Sequence, residues 1–203
     1  MSNKDSLNLE IIRAYLEEMN LPSFFEHQTW DNMNNRILTI NSFITDNIVE
    51  EIILPIFKYN KEDEGIPVAD RKIITLYLNT VGGQEIGFTL CDVIRNSKTP
   101  IHCIVLSKAL SMGIYILISA HYRSAYNFSI IMMHDGDLDI KNSIKKARET
   151  MGFITKTEEG IKEFVINNSK ITSELYDKMY GSEWYLTSRD ALELGIIDNI
   201  IGE

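Results

Sequence analysis

Ser111 and His134 are the two residues whose types and positions could support nucleophilic catalysis. Ser111 opens an apolar segment that predicts a helix, and His134 closes the apolar run 130–133, which predicts a strand. A serine hydroxyl attacks a carbonyl when a neighbouring base takes its proton. On its own, however, the serine could equally cap its helix, and the histidine could be structural. The other histidines do not close a strand in this way: His27, His102 and His121.

Gly82 and Gly83 form a turn between a predicted strand and a predicted helix, one strand–helix unit before Ser111. Backbone N–H groups at the start of a helix have no helical partner. Because glycine has no Cβ, another backbone or a substrate carbonyl can come close to such a turn. These are the requirements of an oxyanion hole, although a plain tight turn would have the same sequence.

The elements that must position these residues alternate between strand and helix. Strands are predicted at 36–40, 73–78, 101–106, 129–133 and 196–200, and helices at 84–95, 111–120, 140–167, after Thr172 and at 187–194. The strands are continuous apolar runs, as expected of parallel strands covered on both faces. The sequence therefore predicts an α/β domain with a mainly parallel sheet, in which the turns after the strands gather at one edge.

Residues 1–35 differ from the rest and predict an N-terminal helical extension to the domain at 36–203. Ser6 can cap a helix whose apolar face carries Leu9, Ile12, Leu16 and Met19. A polar stretch then runs from Pro22 to Asn35. Inside the domain, a helix beginning near Thr45 or Asp46 is predicted to kink or end at Pro55.

Composition restricts the function classes. The 203 residues carry a net charge of −9 without a basic cluster, so nucleic acid is not an expected partner. Cys91 and Cys103 lie in apolar segments and predict buried, reduced thiols. No signal peptide or membrane span is recognisable, so we expect a cytoplasmic protein that does not bind membranes. The sequence calls for no metal and no cofactor.

Four segments in the same order resemble the proteolytic subunits of the Clp protease family. Residues 76–83 correspond to a strand entering an N-S-P-G-G turn, 107–113 to G-x-A-A-S-M-G, 127–134 to P-N-S-x-I-M-I-H, and 187–198 to S-A-E-E-A-x-E-Y-G-L-I-D. The resemblance covers residues 36–203 and implies the fold that this family shares with the crotonases. It also implies a long helix after the histidine.

The resemblance implies a role for each matching residue. Ser111 would be the nucleophile and His134 the general base. The backbone N–H groups of Gly83 and Met112 would form the oxyanion hole, and Gly82 would support the turn.

This chain departs from the family pattern at several positions. Glu183 stands where the family has its third catalytic residue, an aspartate, and a glutamate can also orient a histidine. Asp135 and Asp177 are alternative orienting residues that do not fit the alignment. Val81 replaces the proline of the first turn and Ser107 the first glycine of the serine segment.

The implied function is that of a serine endopeptidase acting on polypeptides inside heptameric rings, stacked as a tetradecamer or single. An AAA+ unfoldase is a possible partner. Residues 135–139 replace the family's glycine-rich substrate strand, and this divergence is similar to that of phage-encoded relatives. Two alternatives remain: a catalytically inactive ring subunit, and a crotonase-like protein that binds acyl-thioesters.

Overall fold

The computed structural model describes residues 24–136 and 143–203, which divide after Asn35 into two units. In the first unit, helix α1 spans Phe24–Asn34. The polar stretch that the sequence analysis ended at Asn35 is thus helical from Phe24 to Asn34. The helix predicted after Ser6 lies outside the described residues.

A seven-stranded, mainly parallel sheet forms the centre of the second unit. Its strands are β1 (Ile37–Ile40), β2 (Ile74–Thr80), β3 (Ile101–Leu110), β4 (Tyr122–Tyr126), β5 (Ile130–Met133), β6 (Trp184–Thr187) and β7 (Asn199–Ile201). The order β1-β2-β3-β4-β7 is parallel throughout, and β6 pairs antiparallel to β5. The predicted α/β class with a mainly parallel sheet is confirmed.

Strand β3 divides the sheet into two branches. Its first half pairs with β4, from His102 opposite Tyr122 to Val105 opposite Ala125. Its second half pairs with β5, and Leu110 lies opposite Met132. Strand β3 thus continues past its predicted end at Leu106, because residues 108–110 pair with β5. The branch brings the ends of β3 and β5 together.

The helices of the second unit connect the strands. They are α2 (Leu54–Glu62), α3 (Ile86–Asn96), α4 (Met112–Ile118), α5 (Ile144–Asn167), α6 (Ser173–Met179) and α7 (Ser188–Glu193). Helix α4 is buried along its whole length, as its uniformly apolar sequence requires. Thr187 caps α7 in a reciprocal capping box with Asp190. The predicted long helix after His134 is present as α5.

The helical segment does not end at Pro55, but it changes from a π-helical to an α-helical turn directly before the proline. A π-helical turn, Val49–Ile53, leads directly into α2, and Pro55 lies in the first turn of α2. The Leu54 N–H donates to the Val49 carbonyl, five residues back. This wider turn accommodates the proline, which has no N–H to give and is tolerated at the start of a helix.

A buried ion pair fixes the start of β1 to the end of α2. Arg36 donates from Nη1 to Oδ2 of Asp63 at 2.7 Å and from Nη2 to Oδ1 at 2.8 Å. Thr99 donates to Asp63 Oδ2 at 2.7 Å, and the guanidinium lies 5.2 Å from the Tyr59 ring centroid. The hydrogen bond from Arg36 is the main reason that the pKa of Asp63 is lowered.

Candidate active site

Ser111 lies at the junction between β3 and α4 in an unusual backbone conformation. Its φ of 52° and ψ of −120° are sparsely populated by residues other than glycine. The Ser111 N–H donates to the Met132 carbonyl at 2.9 Å, and the Ser111 carbonyl accepts from the Ile114 N–H at 3.1 Å. Its side chain makes no capping hydrogen bond, so the structure does not favour the reading of Ser111 as a simple helix cap.

His134 is the hydrogen-bond partner of the Ser111 side chain. Its Nε2 lies 2.7 Å from Ser111 Oγ. Ser111 directly follows Leu110, and His134 comes two residues after Met132. Leu110 and Met132 lie opposite each other where β3 and β5 pair. Parallel pairing of two strands therefore explains how residues separated by 23 positions come into contact.

Gly82 and Gly83 lie against the serine segment and against residue 44. A Cβ on Gly82 would come within 2.7 Å of Ser111 Cβ and 2.9 Å of the Leu110 carbonyl oxygen. A Cβ on Gly83 would come within 2.2 Å of the Ile44 carbonyl oxygen. Gly82 also has a φ of 104°, which favours glycine. Both glycines are therefore required by close packing as well as by the turn.

The N–H groups of Gly83 and Met112 are not used by the backbone bridge to Ile44 or by hydrogen bonds within helix α4. The Ile44 N–H donates to the Gly82 carbonyl at 2.8 Å, and its carbonyl accepts from the Gln84 N–H at 2.9 Å. In such a parallel bridge the N–H of the central residue, Gly83, points to the opposite side. Met112 is the first residue of α4, so its N–H has no acceptor within the helix.

Glu183 lies just beyond the last residue pair of β5 and β6, near His134, and makes no hydrogen bond or ion pair with His134 in the described part of the chain. Trp184 lies opposite Met133 in the antiparallel pair, so one further step would place Glu183 opposite His134. Among the hydrogen bonds of residues 24–136 and 143–203, none joins His134 to a carboxylate. The Glu183 side chain is exposed, and its negative charge is the main cause of the raised pKa of the Tyr185 phenol.

The two alternative carboxylates differ in their surroundings. Asp177 accepts both of its hydrogen bonds from Lys162 Nζ, at 2.6 and 2.7 Å, which holds it on the surface between α5 and α6. Asp135 is exposed and borders a cavity beside His134. Neither makes a hydrogen bond with the histidine in the described part of the chain.

A small cavity adjoins His134, and no sequence pattern indicated it. Its walls come from the end of β5, from α6 and the turn after it, and from the start of β6: Met133, His134, Asp135, Tyr176, Met179, Tyr180, Gly181, Ser182 and Trp184. Tyr180 donates to Glu158 Oε1 of α5 at 2.6 Å, and this bond is the main reason that its pKa is raised to about 12. No local pattern marks these residues, because α6 is placed by tertiary packing.

The remaining histidines and the cysteines lie outside the site. His102 Nε2 lies 2.8 Å from Ser124 Oγ, and His121 Nδ1 accepts from the Ile101 N–H at 3.2 Å. Burial lowers the pKa of both rings. Cys91 and Cys103 are buried free thiols, and burial raises the pKa of each. His27 lies on α1, where its ring approaches Asp31 at 3.3 Å.

Two other features of the described residues bear on function. Across 24–136 and 143–203, no group of three or more His, Cys, Asp or Glu side chains could hold a metal ion. Within the same part of the chain, every helix is too short or too polar to cross a membrane.

The fold and the site together define an α/β protein in which a serine, a histidine and a glycine turn meet at the end of parallel strands. The family model for Clp protease matches residues 26–203, which is most of the chain. The chain therefore belongs to the Clp protease family, and the resemblance seen in the sequence is confirmed. Membership in this family implies a peptidase. The match begins inside α1, upstream of residue 36, and the boundary at 35 stays a prediction.

Proposed function

We propose that this protein is a serine endopeptidase that cleaves unfolded polypeptides through an acyl-enzyme at Ser111. The observation that carries the proposal is the 2.7 Å contact between Ser111 Oγ and His134 Nε2. This distance is within the reach that a general base needs to accept the serine proton. The close approach of Gly82 to Ser111 supports the same site.

In the first half of the reaction, His134 Nε2 takes the proton from Ser111 Oγ as the oxygen attacks the peptide carbonyl carbon. The resulting oxyanion accepts hydrogen bonds from the N–H groups of Gly83 and Met112, each worth about 3 kcal/mol in such sites. His134 then gives the proton to the leaving amine nitrogen, and the C–N bond breaks. Ser111 is left as an ester with the acyl half of the substrate.

In the second half, water replaces the amine. His134 takes a proton from the water, whose oxygen attacks the ester carbonyl, and then returns the proton to Ser111 Oγ as the carboxylic acid leaves. For Nε2 to act as the acceptor in each half, the ring proton must be on Nδ1. We assign Glu183 as the residue that accepts from Nδ1. This assignment requires the exposed carboxylate to turn from Tyr185 towards His134.

We further propose that the active chain is a homo-oligomer of heptameric rings, single or stacked, that receives polypeptide from an AAA+ unfoldase. Large apolar side chains on the described surface offer area that other copies of the chain could cover. Phe128 is 93% exposed, Phe153 is 70% exposed and Tyr185 is 55% exposed. A cytoplasmic location fits this proposal.

The competing proposal is an inactive ring subunit, and the specific observation in its favour is the lack of contact between His134 and a carboxylate within the described residues. The crotonase-like alternative is disfavoured, because acyl-thioester binding does not require a serine–histidine hydrogen bond.

Labelling with a fluorophosphonate probe tests the proposal. We expect the probe to form an adduct on Ser111, located by mass spectrometry of the digested protein. His134→Ala should reduce the labelling rate and the cleavage of fluorescent casein by at least about 10⁴-fold, because the serine loses its base. His27→Gln is the matched control and should behave as the parent, since His27 lies on exposed α1. An unlabelled but assembled parent protein would contradict the peptidase and favour the inactive subunit.

A further inference from the structure

Thr80, at the end of β2, is a buried residue to which no catalytic role is assigned, and it stands where the family's turn has a serine. Its side chain is 1% exposed, and it lies two residues before the glycine turn. A buried hydroxyl must find partners, because an unsatisfied one destabilises the fold. The partners of the Thr80 hydroxyl are Gly82, in the glycine turn, and Ser42, in the segment that pairs with this turn.

The Thr80 hydroxyl connects the glycine turn to the segment that holds it. Oγ1 donates to the Ser42 carbonyl at 2.7 Å and accepts from the Gly82 N–H at 3.0 Å. The same segment continues to Ile44, which bonds to the carbonyl of Gly82 and the N–H of Gln84. The Thr80 side chain and the backbone bridge to Ile44 therefore hold the backbone on both sides of Gly83 in place.

The Thr80 methyl group reaches the other side of the site. Its Cγ2 lies 2.8 Å from the position that a Cβ on Gly113 would take, so the methyl packs directly against the Gly113 backbone. Gly113 follows Met112, the second proposed oxyanion donor. One side chain thus contacts the turn that carries the Gly83 N–H and the helical turn that carries the Met112 N–H.

We propose that Thr80 is a positioning residue that sets the spacing between the two oxyanion donors, the N–H groups of Gly83 and Met112. This inference rests on the proposed peptidase function and assigns that function a further residue. Thr80 does not touch the reacting atoms. Its effect is geometric, and small displacements of catalytic groups reduce rates strongly.

Thr80→Val tests the hydroxyl, because valine keeps the shape of threonine and loses both hydrogen bonds. With a short fluorogenic peptide amide as substrate, we expect kcat to fall by about 10- to 100-fold and KM to change by less than about threefold. A peptide boronate, which forms a tetrahedral adduct with an active serine, should lose affinity by a similar factor. Thr80→Ser keeps the hydroxyl and should restore kcat to within about fivefold of the parent.

Thr99→Val is the matched control. Thr99 is equally buried, at 0% exposure, and its hydroxyl donates to Asp63, away from the site. We expect this variant to unfold at a lower temperature while kcat stays within about twofold of the parent. The contrast separates loss of stability from loss of positioning.

The outcomes distinguish this inference from the function on which it rests. If the parent is labelled at Ser111 but Thr80→Val keeps kcat within about threefold, the positioning role of Thr80 is wrong and the peptidase function stands. If the probe does not label the parent protein, the peptidase function and the positioning role of Thr80 are both overturned.

Discussion

At the scale of single residues, the site depends on backbone that only certain side chains allow. Ser111 occupies a left-handed conformation with a φ of 52°, held by its N–H bond to Met132. This arrangement directs the hydroxyl to His134 instead of to the helix N–H groups. Strain of this kind costs about 1–3 kcal/mol and persists where the surrounding structure fixes it.

Gly82→Ala should disable the site without removing any catalytic group. The added Cβ would meet Ser111 Cβ at 2.7 Å, and alanine is disfavoured at a φ of 104°. We expect peptide hydrolysis to fall by about 100-fold, measured as kcat/KM. Gly160→Ala is the control: it lies in α5 with open space around it, so activity should be kept and stability raised by about 0.5–1 kcal/mol. Equal activity of the Gly82→Ala variant would show that the turn is not part of the site.

Glu183→Gln tests the assignment of the histidine's orienting residue. If Glu183 accepts from His134 Nδ1 during catalysis, kcat should fall by about 10²- to 10⁴-fold, as for other triad acids. Asp177→Asn should change kcat by less than about twofold, because Lys162 already holds that carboxylate. A loss below about tenfold for Glu183→Gln would point to another orienting residue, with Asp135 the next to test.

At the scale of secondary-structure elements, buried polar contacts determine how β1, α2 and β3 are joined. Arg36, Asp63 and Thr99 form a hydrogen-bonded group between the start of β1, the end of α2 and the loop before β3. Asp63 is 3% exposed, and its buried charge is stabilised mainly by the pair with Arg36 and also by the hydrogen bond from Thr99.

Asp63→Asn should lower the free energy of unfolding by about 3 kcal/mol, since it leaves the Arg36 charge unpaired. The pKa of Asp63 is lower in the folded protein than in the unfolded chain, so the pair stabilises the fold above an unfolded pKa of about 4 and loses this effect as pH falls through the folded value. Urea unfolding from pH 7 to pH 2 measures both effects.

Glu203→Gln provides the comparison for an exposed pair. Its partner Arg189 is 64% exposed, and the loss should be under 1 kcal/mol. If Asp63→Asn and the parent lose stability in parallel below pH 4, the Arg36 pair is not the source of the acid sensitivity.

At the scale of the whole molecule, the exposed apolar residues should be covered by other copies of the chain. Light scattering should give a particle of seven or fourteen subunits. Phe128→Asp, in the turn between β4 and β5, should break the particle into smaller species, because a charge cannot be buried there without a partner. Phe153→Asp, on α5, tests a second exposed phenylalanine in the same measurement. A monomeric parent protein at micromolar concentration would contradict the assembly.

Much of this protein follows from local sequence. The alternation of predicted strands and helices predicted an α/β domain, and the order of four short motifs predicted the family. Both signals are local, because hydrophobic periodicity and turn residues are encoded over a few positions. Strands β4 and β6 were missed, since Tyr122–Tyr126 and Trp184–Thr187 lack a long apolar run and are strands only through pairing with β3, β7 and β5.

The sequence by itself determined which residues are candidates for chemistry. Ser111, His134 and the glycine turn each come shortly after a predicted strand in the chain. Only the tertiary structure decided which of them meet. The branch in β3 brings Ser111 to His134, and packing of Gly82 against Ser111 brings the turn to both. Thr80 and the cavity beside His134 became visible only there, because contacts between distant segments depend on register and packing, which no local pattern encodes.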